Sequence, residues 1–314
     1  MQSEPLNMML ALEKIGRQER EGARRAAATA FRVADAYIRG SASDFDASAI
    51  FYNLGFRMRL ALFDAAQSAE DKHNALAHLA TMVWINFDLS AKSSAKGVQL
   101  ASALTFNQTM GQEVPLLQAA GWMQHASQMA HYLWEGYPPA KNPVFFNQDS
   151  SAYAIPWFQT AMNVEPNIWR PHAPEDVLAH TPPLEHLFRV QGLTDDPLVA
   201  RALQEVRDMN IANATSTVLN PEYDGPITDA LLLMLDYDVR SFNALRETKG
   251  LSRVEVTSHA PEPPTPATVP FVVESRLWDV YERLCQRLGF EPYRPEPTLP
   301  VSFDETTLLI HRRS

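Results

Sequence analysis

Paired histidines and carboxylates are where chemistry would first show in this chain, because imidazoles titrate near neutrality and both groups ligate metals. The stretch GWMQHASQMAHYLWEGYPP, residues 121–139, sets His125, His131 and Glu135 on one helical run. Six residues apart on a helix, the two histidines point about 120° away from each other. Chelation by one helix wants the i, i+4 spacing of H-E-x-x-H, so one ion cannot take both. Trp122, Met123, Ala126, Met129, Ala130, Leu133 and Trp134 gather on about 140° of arc. The segment reads as an amphipathic packing helix.

The other candidates thin out in the same way. Glu70-Asp71-Lys72-His73 matches the Glu-x-x-His spacing of di-iron bundles, but those sites need a second such motif, and none is found. Acids at that point are expected anyway as the first turn of a helix. His73 and His78 are about 140° out of phase. His172, His180, His186 and His259 fall in proline-rich or loop contexts without ligand spacing. Asp195-Asp196-Pro197 lacks the further carboxylate that Asp-rich metal motifs of helical enzymes carry, and reads as a helix cap. The single cysteine, Cys285, excludes an intramolecular disulfide and a cysteine zinc site. It sits at the margin of an apolar helix face as a small packing residue. There is no G-x-S-x-G and no phosphate-cradling glycine loop. No catalytic, cofactor-binding or metal-ligating residue is nominated, and no cofactor is expected.

Charge says more. The 314 residues carry a formal net charge of −10. Nucleic-acid backbones demand Lys and Arg, so direct nucleic-acid binding is not expected. A basic partner suits the charge better. Residues 208–238 hold six acids and no Lys or Arg. Within them Glu222, Tyr223, Asp224, Asp229, Asp236, Tyr237 and Asp238 form the candidate partner-binding set. Asp229 and Asp236, seven apart, would share a helix face. The plainer reading is a solvated helix end and loop; the sharper one is an acidic, tyrosine-bearing patch that docks a basic protein.

The elements that must position these residues are mainly helical. The expected fold is mainly α, a multi-helix bundle of antiparallel hairpins, with at most one or two short strands near the C-terminus. Residues 1–136 read as helices: one ending at Gly40, one capped by Ser43 or Asp44, a third opening at Glu70-Asp71, and two more over 95–112 and 115–136. From 137 to 183 nine prolines interrupt the chain among Phe145, Phe146, Tyr153, Trp157, Phe158 and Trp169, which predicts an irregular segment packed on the body. Helices resume over 184–250, with one running from 226 to a Gly250 stop. LSRVEVTSH alternates like a short strand within a proline-rich connector over 251–272. Residues 273–314 supply a last helix, whose run FVVESRLWDVYERLCQRLGF buries Leu277, Val280, Tyr281, Leu284 and Leu288, and a tail that adds an edge strand. These stretches make one globular unit or two subdomains. No leader peptide or membrane span is legible, which predicts a cytoplasmic protein.

The stretches FRMRLALFDAAQSAEDKHNALAHLA, LLQAAGWMQHASQMAHYLWEG and DALLLMLDYDVRSFNALRETKG belong to an acidic, alanine-rich helical chain without a catalytic motif. In this the chain resembles bacterial immunity proteins, which neutralise polymorphic or contact-delivered toxins, including type VI secretion effectors. The resemblance implies a non-enzymatic inhibitor that binds its cognate toxin, often an enzyme with a basic cleft. Two alternatives stand beside it: a helical enzyme with a dispersed site near the aromatic segment 145–170, drawing on Trp169 or His172, and a helical scaffold or adaptor.

Overall fold

The computed structural model describes residues 4–101, 113–135, 182–220, 230–257 and 268–313. Among the described residues the helices include α1 (Glu4–Ile38), α2 (Asp44–Tyr52), α3 (Arg59–Ala65), α4 (Ala69–Lys96), α5 (Met123–Glu135), α6 (Pro182–Val190), α7 (Asp196–Leu219), α8 (Tyr237–Thr248) and α9 (Ser275–Leu288). Residues 113–119 are helical too, but Gly121, at φ +81°, breaks the single helix expected over 115–136 before α5 begins. A small sheet near the C-terminus contains β1 (Phe271–Glu274), β2 (Thr298–Phe303) and β3 (Ile310–Arg312). The chain is therefore mainly α, as expected. Among the described residues no helix is long and apolar enough to cross a membrane.

The chain divides into two compact units. The first comprises Met1–Leu12 and Gln108–Glu262, the second Glu13–Asn107 and Pro263–Ser314. Residues 273–314 thus fold in one unit with the N-terminal helices. The aromatic and proline-rich residues 137–181 lie outside the described residues, as does nearly all of the proline-rich part of the connector.

Helix α4 is the axis of the second unit. Asn74 to Phe87 are all buried, which a helix sustains only when other elements cover it on every side. It starts with a capping box: Ser68 Oγ accepts from Asp71 N and the Asp71 carboxylate accepts from Ser68 N, both at 3.0 Å. That settles the Glu-x-x-His spacing as a helix start. Gly97, at φ +65°, closes the other end in the left-handed conformation open to glycine.

Alpha-helix α2 begins at the expected cap, with Ser43 Oγ accepting from Asp46 N at 3.1 Å. It does not run on unbroken, because residues Asn53–Arg57 form a π-helical turn before α3. Gly55 in that turn meets α4 so closely that an added Cβ would stand 3.0 Å from Met82 Cβ. Gly55→Ala sets about 1 kcal/mol of helix propensity gained against about 1–3 kcal/mol of overpacking. Overpacking wins because the obstructing atom lies next to the backbone. A net loss of up to about 2 kcal/mol is expected in urea unfolding; unchanged stability would mean that α4 yields at Met82.

The sheet order is β1-β2-β3, with β1 and β2 parallel (Phe271 opposite Thr298) and β2 and β3 antiparallel (Val301 opposite Arg312). A parallel pair needs a crossover, and α9 supplies it. The helix read over FVVESRLWDVYERLCQRLGF thus begins later than expected. Phe271, Val272 and Val273 favour extended backbone and pair with β2. The buried Glu274 then ends the strand and caps α9, accepting from Leu277 N at 3.1 Å. The five apolar positions read for this helix are all buried, and Gly289, at φ +74°, stops it.

Helix α4 also satisfies both outer strands. Thr81 Oγ1 accepts from Val272 N in β1 at 3.1 Å, and Asn74 Nδ2 donates to Ile310 O in β3 at 3.1 Å. The two residues are seven apart and so share a face. Phe303 reaches from β2 to Phe31 and His78, with ring centroids 5.3 and 5.5 Å away.

In the first unit α7 is central. Asp195 caps it, accepting from Leu198 N at 3.2 Å, with Pro197 just inside the start, as read. Val199, Ala202, Leu203, Val206, Arg207, Asn210 and Ala214 make its buried stripe. The expected strand in LSRVEVTSH does not form over 251–257. Side-chain amides take the backbone groups a strand partner would have used: Asn243 bonds both Val254 N (2.9 Å) and Val254 O (3.0 Å), and Gln204 Oε1 accepts from Thr257 N (2.7 Å).

Candidate functional site

The acidic segment is the sequence-derived candidate, and the structure describes its last part. Glu222, Tyr223, Asp224 and Asp229 lie outside the described residues. Asp236, Tyr237 and Asp238 are 1%, 0% and 0% exposed, so these three do not belong to a surface patch. Both carboxylates turn inward to one guanidinium. Arg207, itself 0% exposed, pairs with Asp236 and, at 3.2 Å, with Asp238. Asn210 Nδ2 donates to the other Asp238 oxygen at 2.8 Å, and Val239 N donates to Asp238 Oδ1 at 2.9 Å.

Backbone geometry explains how this happens. On the helix expected over 226–250, residues 236 and 238 would point about 200° apart and could not meet one arginine. Instead Ala230–Leu233 form a 3₁₀ turn, Asp236 leaves the helical conformation (φ −69°, ψ 55°), and α8 starts at Tyr237. The break lets both acids reach Arg207. One signal in the sequence pointed here: Arg207 and Asn210 fall on the apolar stripe of α7, where charge survives only when matched.

A second arginine acts as a strut. Arg246 donates to Ser252 O (2.7 Å), Gln191 O (2.9 Å), Leu193 O (3.2 Å) and the Asp196 carboxylate (2.7 Å). It holds the turn between α6 and α7 to the end of α8. Gly250, at φ +70°, follows there as the expected stop.

The densest reactive-type cluster lies in the second unit. Lys92 Nζ donates to Asp88 (2.5 Å) and Glu291 O (2.9 Å), and stands 3.5 Å from Tyr281 Oη and 3.6 Å from Cys285 Sγ. Tyr281 Oη donates to Asp88 and accepts from Tyr293 N at 2.8 Å. Burial, reinforced by Asp88, pushes the Tyr281 phenol far above its ordinary range. Burial pushes the Cys285 thiol up to about 11 against the pull of Lys92. A nucleophilic cysteine needs a depressed pKa and a catalytic lysine a free lone pair. This thiol stays protonated and this ammonium is engaged on each side, so the cluster clamps α9 onto α4.

His125 stacks near Trp122 (5.1 Å between centroids), and burial lowers its pKa. The His131 side chain and His172, His180 and His259 lie outside the described residues, as does the aromatic segment 145–170. His186 pairs with Glu205 at 3.1 Å. Among the described residues no three His, Cys, Asp or Glu side chains gather to hold a metal.

Among the described residues an open cleft of about 400 Å³ lies between α1 and α2 in the second unit. Arg25, Ala26, Thr29, Ala30 and Val33 line one wall; Asp46, Ala49, Ile50 and Asn53 line the other, with Arg57 from the π-turn. Nothing in its sequence pattern marked it beforehand, because alanines and scattered polar residues at helical spacing describe any amphipathic pair. No family model matches the chain, and no curated protein or solved structure is similar to it.

Proposed function

We propose that this chain is a non-enzymatic cytoplasmic binding protein that occludes a basic protein partner, in the manner of an immunity protein against its cognate toxin. Charge carries the reading. Of the net −10, the larger part falls on residues 102–112, 136–181, 221–229 and 258–267, which contain eight acids against only Lys141 and Arg170. The acids that enter the core of the first unit are matched by arginine, so they do not supply this excess. Glu222, Asp224 and Asp229, with Tyr223 among them, remain as the acids of the proposed docking segment. Opposite charge on a partner speeds encounter and fixes orientation.

The test is a triple variant, Glu222→Gln, Asp224→Asn and Asp229→Asn, titrated against the purified partner. At roughly 0.5 kcal/mol per exposed pair, affinity should weaken about tenfold and lose part of its salt dependence. Unfolding should be unchanged. A partner bound equally well by the variant, at low and high salt alike, would contradict the electrostatic reading.

A further inference from the structure

The cleft between α1 and α2 is the feature that neither the core nor the proposed docking segment uses. Arg25 lies 15 residues before Gly40, and Arg57 lies 14 after Ser43, so the two are equally far from the turn. At 1.5 Å per residue each arm is roughly 20 Å long, and helices meeting at a right angle would part these residues by about 30 Å. Arg20 ion-pairs with Asp64 and Tyr37 donates to Asp44, so the arms run antiparallel, and Arg25 and Arg57 fall at one level on the two walls of a cleft of about 400 Å³, at its open end away from the turn. Asp46 lies at the opposite end, near the turn.

The chemistry is graded along the cleft. At the open end both guanidiniums are exposed. Arg25 is held by the equally exposed Glu21 at 2.9 Å, and Arg57 stacks over Tyr52 at 5.6 Å. Neither arrangement blocks a new acceptor, since an exposed i, i+4 pair is weak and exchanges readily with other partners. Thr29 and Asn53 add neutral hydrogen-bonding groups, and Ala26, Ala30, Val33, Ala49 and Ile50 supply an apolar floor. Asp46 is fixed by Ser43 Oγ at 2.6 Å.

We propose that this cleft binds a small amphipathic monoanion. Its oxyanion head lies between Arg25 and Arg57, and a short aliphatic body lies on the alanine and isoleucine floor. Arginine forks suit carboxylate and phosphate oxygens. The volume is at the lower end of the range for small-molecule sites. Asp46, 11 residues and so about 16 Å from Arg57 along the helical arm, is out of reach of a six-carbon ligand held at the arginines. A second carboxylate on the body would instead fall on the apolar floor, where lost hydration penalises it, so the site separates monoanions from dianions of equal length.

The experiment titrates the full chain with hexanoate, adipate, hexylammonium and hexyl phosphate by NMR. Hexanoate should bind saturably, adipate more weakly and hexylammonium not at all, while hexyl phosphate against hexanoate shows which head is preferred. Arg25→Met with Arg57→Met should weaken hexanoate by about tenfold or more, the loss expected for charge-assisted bonds. The double variant alters exposed side chains, and circular dichroism confirms that it folds. Absence of saturable hexanoate binding would overturn the proposal. So would binding that ignores the arginine pair, or adipate binding that matches hexanoate in the unaltered protein.

Discussion

Replacing Arg207 with methionine is expected to destabilise the first unit by about 3–5 kcal/mol, because it leaves two carboxylates buried without their cation. Asp236 and Asp238 are 1% and 0% exposed, so neither can turn to water without unfolding its surroundings. Set against a typical total of about 5–15 kcal/mol, this is enough to open α7 and α8. Hydrogen exchange across those helices reads it directly. Adding Asp236→Asn and Asp238→Asn to Arg207→Met should recover part of the loss, since neutral amides are far cheaper to bury than unpaired carboxylates. If Arg207→Met left exchange unchanged, the acids would not depend on it and the buried cluster would be wrongly described.

The second large effect is acid sensitivity centred on His78. The ring is 1% exposed, and its Nε2 finds no hydrogen-bond partner among the described residues. Burial lowers its pKa from 6.5 to about 4. As pH falls, the unfolded chain takes up the proton first. Stability is therefore lost from about pH 6.5 down to about pH 4 and levels off below, a loss of about 3 kcal/mol at 1.36 kcal/mol per unit. Other groups titrate in the same window, so the quantity to measure is the difference between wild type and His78→Leu. At pH 7 the two should be similar. By pH 4 the variant should be ahead by about 3 kcal/mol. Parallel stability curves across that window would show that His78 is solvated or paired in solution.

Local signals in the sequence were legible because their physics is local. Ser43 and Asp195 cap helices where a short polar side chain precedes an apolar period, and Gly40, Gly250 and Gly289 take the positive φ that ends them. Gly97, read inside a further helix over 95–112, instead takes the positive φ that ends α4. The buried face of α9 followed from spacing alone. What failed depended on distant partners. Phe271–Glu274 is a strand because β2, more than 20 residues later, offers a parallel edge. The alternating residues 251–257 lack such an edge and are satisfied by Asn243 and Gln204 instead. Asp236 and Asp238 look like solvated acids until Arg207, about 30 residues earlier, is brought against them. A carboxylate is read as surface by default, and only its partner reverses that. The α1/α2 cleft was invisible for a related reason, since a gap between helices is set by how they diverge rather than by which residues face it.

The central claim is that this acidic chain acts by binding a basic protein partner. The most direct measurement is affinity of the full chain for the partner captured from the cells that express it, determined across a salt series, together with the effect of co-expression on that partner's toxicity. The account predicts a stoichiometric complex whose dissociation constant rises with salt, and a partner harmful alone but tolerated beside this chain. A chain that captures no basic protein at low salt, or whose complex is indifferent to salt and leaves the partner fully active, would contradict it.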